Sequence, residues 1–119
     1  MNNEFKIIVV SNDSKFSIDL TNECHKYGFN LAFIDDRSQI HDETQHEVIA
    51  VMVVDLDGDI DIIEFCTFVR ENYGLPIFGV INKLNSKIQK QTKENGLDLI
   101  FTKKMLLSSI REVVIHVSK

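Results

Sequence analysis

The chain has 119 residues, 44% of them hydrophobic and 26% charged, with a formal net charge of −5. That balance suits one globular domain over residues 1–119 and excludes a disordered chain. The longest apolar run falls far short of the roughly 20 residues that span a bilayer, the N-terminus MNNEFK lacks the build of a signal peptide, and the acidity disfavours direct nucleic-acid binding, so the expectation is a cytoplasmic protein with neither membrane nor nucleic acid as partner.

The β-branched run FKIIVV (5–10) reads as a buried strand. SNDS then offers N-cap residues, and Phe16, Leu20, Cys24 and Tyr27 recur at helical spacing as far as a C′ glycine, Gly28. FNLAFI (29–34) is a second strand. Residues 35–47 are polar around one apolar anchor, Ile40, and imply a short helix. VIAVMVV (48–54) is the third and most apolar strand. From Ile60, positions 62, 65, 66 and 69 mark the inner side of a third helix closed by Gly74. Pro76 opens a fourth strand, PIFGVI, since proline is tolerated at a strand start. Residues 83–95 form a polar helix closed by Gly96, and LDLIF (97–101) a fifth strand. Met105, Leu106, Ile110, Val113, Val114 and Val117 form the apolar side of a last helix.

Strands apolar on both faces that alternate with helices predict an α/β protein: a five-stranded parallel sheet in a doubly wound, flavodoxin-like (βα)5 sandwich. In such sheets function collects outside the carboxyl ends of the strands. Cys24 and Cys66 are too few for a zinc motif or a disulfide framework and read as buried thiols. The histidines, at 25, 41, 46 and 116, have no ligand spacing.

The third strand runs straight into Asp55, Asp57, Asp59 and Asp61. Crowded like charges repel and raise one another's pKa, which implies a metal or a lysine among them. Asp55, Asp57 and Asp59 match the first ligands of a calcium loop, but Ile60 and Cys66 stand where that loop needs Gly and Glu. VVDLDGD is also similar to the opening motif of haloacid dehalogenase-type phosphatases, with Asp55 as nucleophile and Asp57 as acid/base. That family carries the motif on its first strand and needs a longer remainder.

A further resemblance uses the whole chain. Five β-α units, with Asp55 ending the third strand, Pro76 opening the fourth, Gly96 ahead of the fifth and Lys103 after it, resemble the CheY-like receiver domain of two-component response regulators over residues 5–117. The resemblance implies that Asp55 is the phosphoacceptor for a histidine kinase, that Lys103 binds the phosphoryl group and that Mg2+ assists. For Mg2+ this chain offers Asn12, Asp13, Asp55 and Asp57.

It also departs from the pattern. Two acids usually follow strand one. Here Ser11 and Asn12 stand there, and Asp13 comes one place late, where it equally suits a helix N-cap. The switch Thr or Ser that ends strand four is Ile81, and the aromatic expected in strand five is Ile100. A hydrogen bond to a charged group is worth roughly 1.5–3 kcal/mol and allosteric couplings about 1–3 kcal/mol, so losing that hydroxyl removes most of the switching energy. We therefore expect a degenerate receiver, not an enzyme, that acts mainly through protein–protein interaction with weak or no phosphorylation. The alternatives are a working phosphoacceptor at Asp55 and, more remotely, a small phosphatase. Lys83, Lys87, Lys90 and Lys93 fall on the fourth predicted helix, the first three on one stripe. The resemblance implies a fourth-helix to fifth-helix face that forms a homodimer or meets a kinase or output domain; the plainer reading is a solvated face.

Overall fold

The computed structural model describes residues 5–36, 38–43, 48–58, 61–94 and 96–117. Strand and helix alternate throughout: β1 (Phe5–Val10), α1 (Ser14–Lys26), β2 (Asn30–Phe33), α2 (Gln39–Glu43), β3 (Val48–Asp55), α3 (Ile62–Asn72), β4 (Ile77–Ile81), α4 (Ser86–Glu94), β5 (Leu99–Thr102) and α5 (Lys103–Val117). The strands form one parallel sheet in the order β2-β1-β3-β4-β5. The order reverses between β1 and β3, so the sheet has its crevice beyond the carboxyl ends of those two strands.

Period-two alternation along each strand divides the apolar residues between two cores. Ile7, Val9, Val51, Val53, Phe78 and Val80 pack with Phe16, Leu20 and Cys24 of α1 and with Leu106, Ile110 and Val114 of α5. Ile8, Met52, Val54 and Ile77 face the opposite way, toward Ile40 of α2 and toward Phe65, Cys66 and Val69 of α3. The lone anchor Ile40 is fully buried, which explains how five residues of otherwise polar sequence hold a helix. Cys24 and Cys66 are buried free thiols, and burial pushes them up to about 12 and about 11, so both stay protonated and inert at neutral pH. Among the described residues no helix is long and apolar enough to cross a membrane.

Several boundaries differ from the pattern-based expectation. β2 is shorter than 29–34, and β5 begins at Leu99 rather than Leu97. Leu97 is buried all the same. Tyr27 is the C-cap of α1 and 43% exposed, not part of its inner stripe. On α5, Met105 is 49% exposed, and Leu107 packs against the core instead. The helix starts at Lys103, whose side chain turns inward, and the inward phase then runs 103, 106, 110, 114. The side chain of Val117 lies outside the described residues.

The largest change is at α4. It begins at Ser86, not residue 83, because Asn85 stops the loop: its Oδ1 accepts the Ile88 N–H at 2.8 Å as a helix cap. Asn85→Ala is expected to cost about 1 kcal/mol, read as a lower urea midpoint at unchanged slope.

Candidate functional site

Asp55 is the last residue of β3 and keeps the parity of Val51 and Val53, so its carboxylate points to the face covered by α1 and α5. It is only 3% exposed. A buried carboxylate needs partners, and three elements supply them. Ser11, just past β1, donates its hydroxyl to Asp55 Oδ2 at 2.6 Å. The Asp57 N–H donates to Asp55 Oδ1 at 2.9 Å. Lys103 Nζ, at the start of α5, lies 3.1 Å from Asp55 Oδ2.

Lys103 joins more than one acid. Its ammonium is 3.0 Å from Asp13 Oδ2 and 3.1 Å from Asp57 Oδ2 as well. An ammonium has three N–H donors, and three carboxylates use them. Burial works against the charge on Lys103, but the bonds to Asp13, Asp57 and Asp55 outweigh it and hold its pKa above the ordinary value. Lys103 Nζ also lies over the Phe16 ring, 5.8 Å from its centroid.

Asp13 proves to have two duties. Its Oδ1 accepts the Phe16 N–H at 3.0 Å as the N-cap of α1, while its Oδ2 faces Lys103. The Phe16 N–H and then Lys103 hold its pKa below the ordinary carboxylate range. Asp57 is bifunctional too, since its Oδ2 also accepts the Asn82 N–H, just past β4, at 2.8 Å. Asp61 is spent elsewhere, capping α3 through the Glu64 N–H at 3.1 Å. Asp59 and Ile60 lie outside the described residues.

Beside this cluster a cleft of about 250 Å³ opens at the crevice, lined by Val10, Ser11, Asn12, Ile34, Asp35, Asp55 and Gly58. Asn12 thus borders the site but faces the cleft, not the ammonium. Mg2+ demands near-octahedral oxygen donors. Among the described residues no group of three or more acidic, His or Cys side chains is arranged to hold a metal ion. Lys103 Nζ sits at the point on which Asp13, Asp55 and Asp57 converge.

Of the residues singled out from sequence, Asp13, Asp55, Asp57 and Lys103 come together. Ile81 is buried at the end of β4, and Ile100 is half-buried in the second core, so neither puts a polar group near Asp55. The lysines do not share one helix stripe: Lys83 lies in the loop ahead of α4, Lys87 and Lys90 are exposed on α4, and the side chain of Lys93 lies outside the described residues. The sequence reading missed Ser11 as a donor, having counted it only as a missing acid. Its place one residue beyond β1, at the carboxyl edge of the sheet, was the available signal.

No protein-family model matches the sequence. No curated protein matches it either. Solved structures do match. A response regulator from Thermotoga maritima is 14% identical, with 94% of this chain and 98% of that one covered and a TM-score of 0.75. Chemotaxis response regulator CheY4 of Vibrio cholerae is 17% identical over 92% and 98% of the two chains, with a TM-score of 0.72. The non-phosphorylated receiver domain of the stress response regulator RcsB from Escherichia coli is 12% identical over 97% and 93%, with a TM-score of 0.77. The strand order, the helix placement and this near-complete coverage together show that the chain has the CheY-like fold of response regulator receiver domains.

Proposed function

We propose that this chain is a receiver-type signalling module, cytoplasmic and not an enzyme, that works through protein–protein contacts and takes a phosphoryl group at Asp55 weakly or not at all. The observation that carries this reading is the saturation of Lys103: its three donors are spent on Asp13, Asp55 and Asp57. Phosphoryl transfer depends on positioning and on neutralising charge. Three carboxylates against one ammonium leave a formal charge of −2 at the site, which repels an incoming phosphate. The aliphatic Ile81 offers no hydroxyl to read out a modified Asp55. Lys103 stands in this reading as the resident cation in place of Mg2+. The contact surface is the side carrying Lys83, Lys87 and Lys90, and its partner an output domain, a kinase or a second copy of the chain.

A second reading, a working phosphoacceptor, draws on the close approach of buried Asp55 to Lys103. Intact-protein mass after incubation with acetyl phosphate and Mg2+ separates the two. The adduct is expected at less than a tenth of that on an ordinary receiver treated alongside. A comparable adduct that vanishes in Asp55→Asn would establish the second reading instead. Turnover of a phosphate ester lost in the same variant would point to a phosphatase.

A further inference from the structure

One contact of the cluster reaches beyond it. Asp57 Oδ2 accepts two donors from different elements, Lys103 Nζ at 3.1 Å and the Asn82 N–H at 2.8 Å. Asn82 directly follows β4, and three residues later Asn85 caps α4. The backbone between them is short, so whatever holds Asn82 restrains the first turn of α4. That turn has little apolar anchorage, since Leu84 and Ile88 are only half-buried. Ile81 cannot restrain it through a polar group.

From this geometry we infer that Asp57 is a built-in latch: its carboxylate ties the β4–α4 segment to Lys103, so the position of that segment answers to the charge balance of Asp13, Asp55, Asp57 and Lys103. The inference rests on the signalling reading above and names how the same site would act on its surface. Among the described residues, the groups that face the Asp57 carboxylate are the ammonium of Lys103 and the Asn82 N–H; Asp55 and Asp13 act on it through their shared hold on Lys103. Anything that draws Lys103 toward Asp55 or Asp13 weakens its grip on Asp57. Asp57 then loses the counter-charge that holds its carboxylate under Asn82. An anion arriving at Lys103 would compete with Asp57 directly. Under this inference the aliphatic switch position is not a defect, because the link from acid cluster to α4 runs through Asp57.

Amide hydrogen exchange followed by NMR on the full chain tests the latch. Asp57→Ala is expected to raise the exchange rate of the Asn82 amide about fivefold, the loss of one ordinary hydrogen bond. Lys103→Met, which leaves Asp57 itself in place, is expected to raise it at least twofold. Core amides of Val53 and Val80 measured in the same samples report global unfolding, and the Asn82 rate is taken relative to them. Asn82 protection unchanged in Asp57→Ala would overturn the latch. Acceleration in Asp57→Ala but not in Lys103→Met would also overturn it, leaving Asp57 as a local cap. Phosphoryl labelling of Asp55 is a separate measurement, so the latch and the weak-phosphorylation reading fail independently.

Discussion

Lys103→Met is expected to lower stability by about 3 kcal/mol at neutral pH, the low end of what removing one partner of a buried ion pair costs. The variant keeps most of the length of the side chain and removes the ammonium that lies within 3.1 Å of Asp13, Asp55 and Asp57. Asp55, at 3% exposure, then carries an uncompensated charge. Asp13 and Asp57 contribute less, since their side chains are 33% and 32% exposed and water screens them. A loss of that size is a large share of the ~5–15 kcal/mol available to a domain. Urea denaturation measures it, and Asp55→Asn in the Lys103→Met background is expected to recover part of it, because the buried charge goes with its partner.

The pH dependence carries a definite sign. Lys103 has its folded pKa raised, so its contribution is complete below the ordinary 10.5 and is lost only as pH rises through the higher folded value. Asp13 has its folded pKa lowered, so its contribution is complete above the ordinary 3.8 and is lost as pH falls through the lower folded value. The deficit of Lys103→Met should therefore be level across the neutral range. It should shrink below 3.8 as Asp13 protonates and needs no counter-ion. A deficit that stays constant down to the acid transition would show that packing of the buried Lys103 side chain, not its pairing with carboxylates, supplies the stability.

Gly79→Val is expected to cost about 3 kcal/mol and Gly79→Ala about 1 kcal/mol, within the usual range for overpacking a core. Gly79 lies in the middle of β4, a strand buried along its whole length. A Cβ there would collide with Leu97 Cδ2 and come within 2.8 Å of Leu56 Cδ1. Both are ends of flexible side chains, so a single methyl is accommodated by small shifts. The two further methyls of valine are not. Leu56 follows Asp55 directly, and displacing it moves the backbone that presents the Asp57 N–H to Asp55. The variant should therefore shift the Asp57 amide resonance as well as the urea midpoint. Valine at 79 with wild-type stability would mean that Leu56 and Leu97 have free room to repack.

The order of elements and the parallel sheet were legible because they rest on local physics. Apolar runs of strand length, helical spacing such as Phe16, Leu20 and Cys24, and helix stops at Gly28 and Gly74 are all near-neighbour patterns. Both of these glycines do take the left-handed conformation, at φ +73° and +62°. Boundaries were less legible where a side chain overrides the pattern, as Asn85 does by capping α4 three residues late.

The site divides in the same way. Asp55 at the end of an apolar strand, and a lysine after the last strand, follow from linear order once the sheet is parallel, because parallel strands bring their carboxyl ends to one edge. The sequence also implied that a cation belongs among the acids, since like charges do not crowd without one. Which cation, and which acids, depended on contacts between residues 44 to 90 positions apart: Ser11 with Asp55, Lys103 with Asp55, and Lys103 with Asp13. No local pattern encodes such distances. Asp13 alone could be a cap or a ligand, and only the docking of α1 beside α5 makes it a cap on one oxygen and a partner of Lys103 on the other. Asp57 reads as one more loop carboxylate until β4 ends beside it and offers the Asn82 N–H. Linear order placed the charges at one edge of the sheet, and the packing of helices onto that sheet paired them, because an ammonium with three donors binds whichever acids the fold brings within about 3 Å.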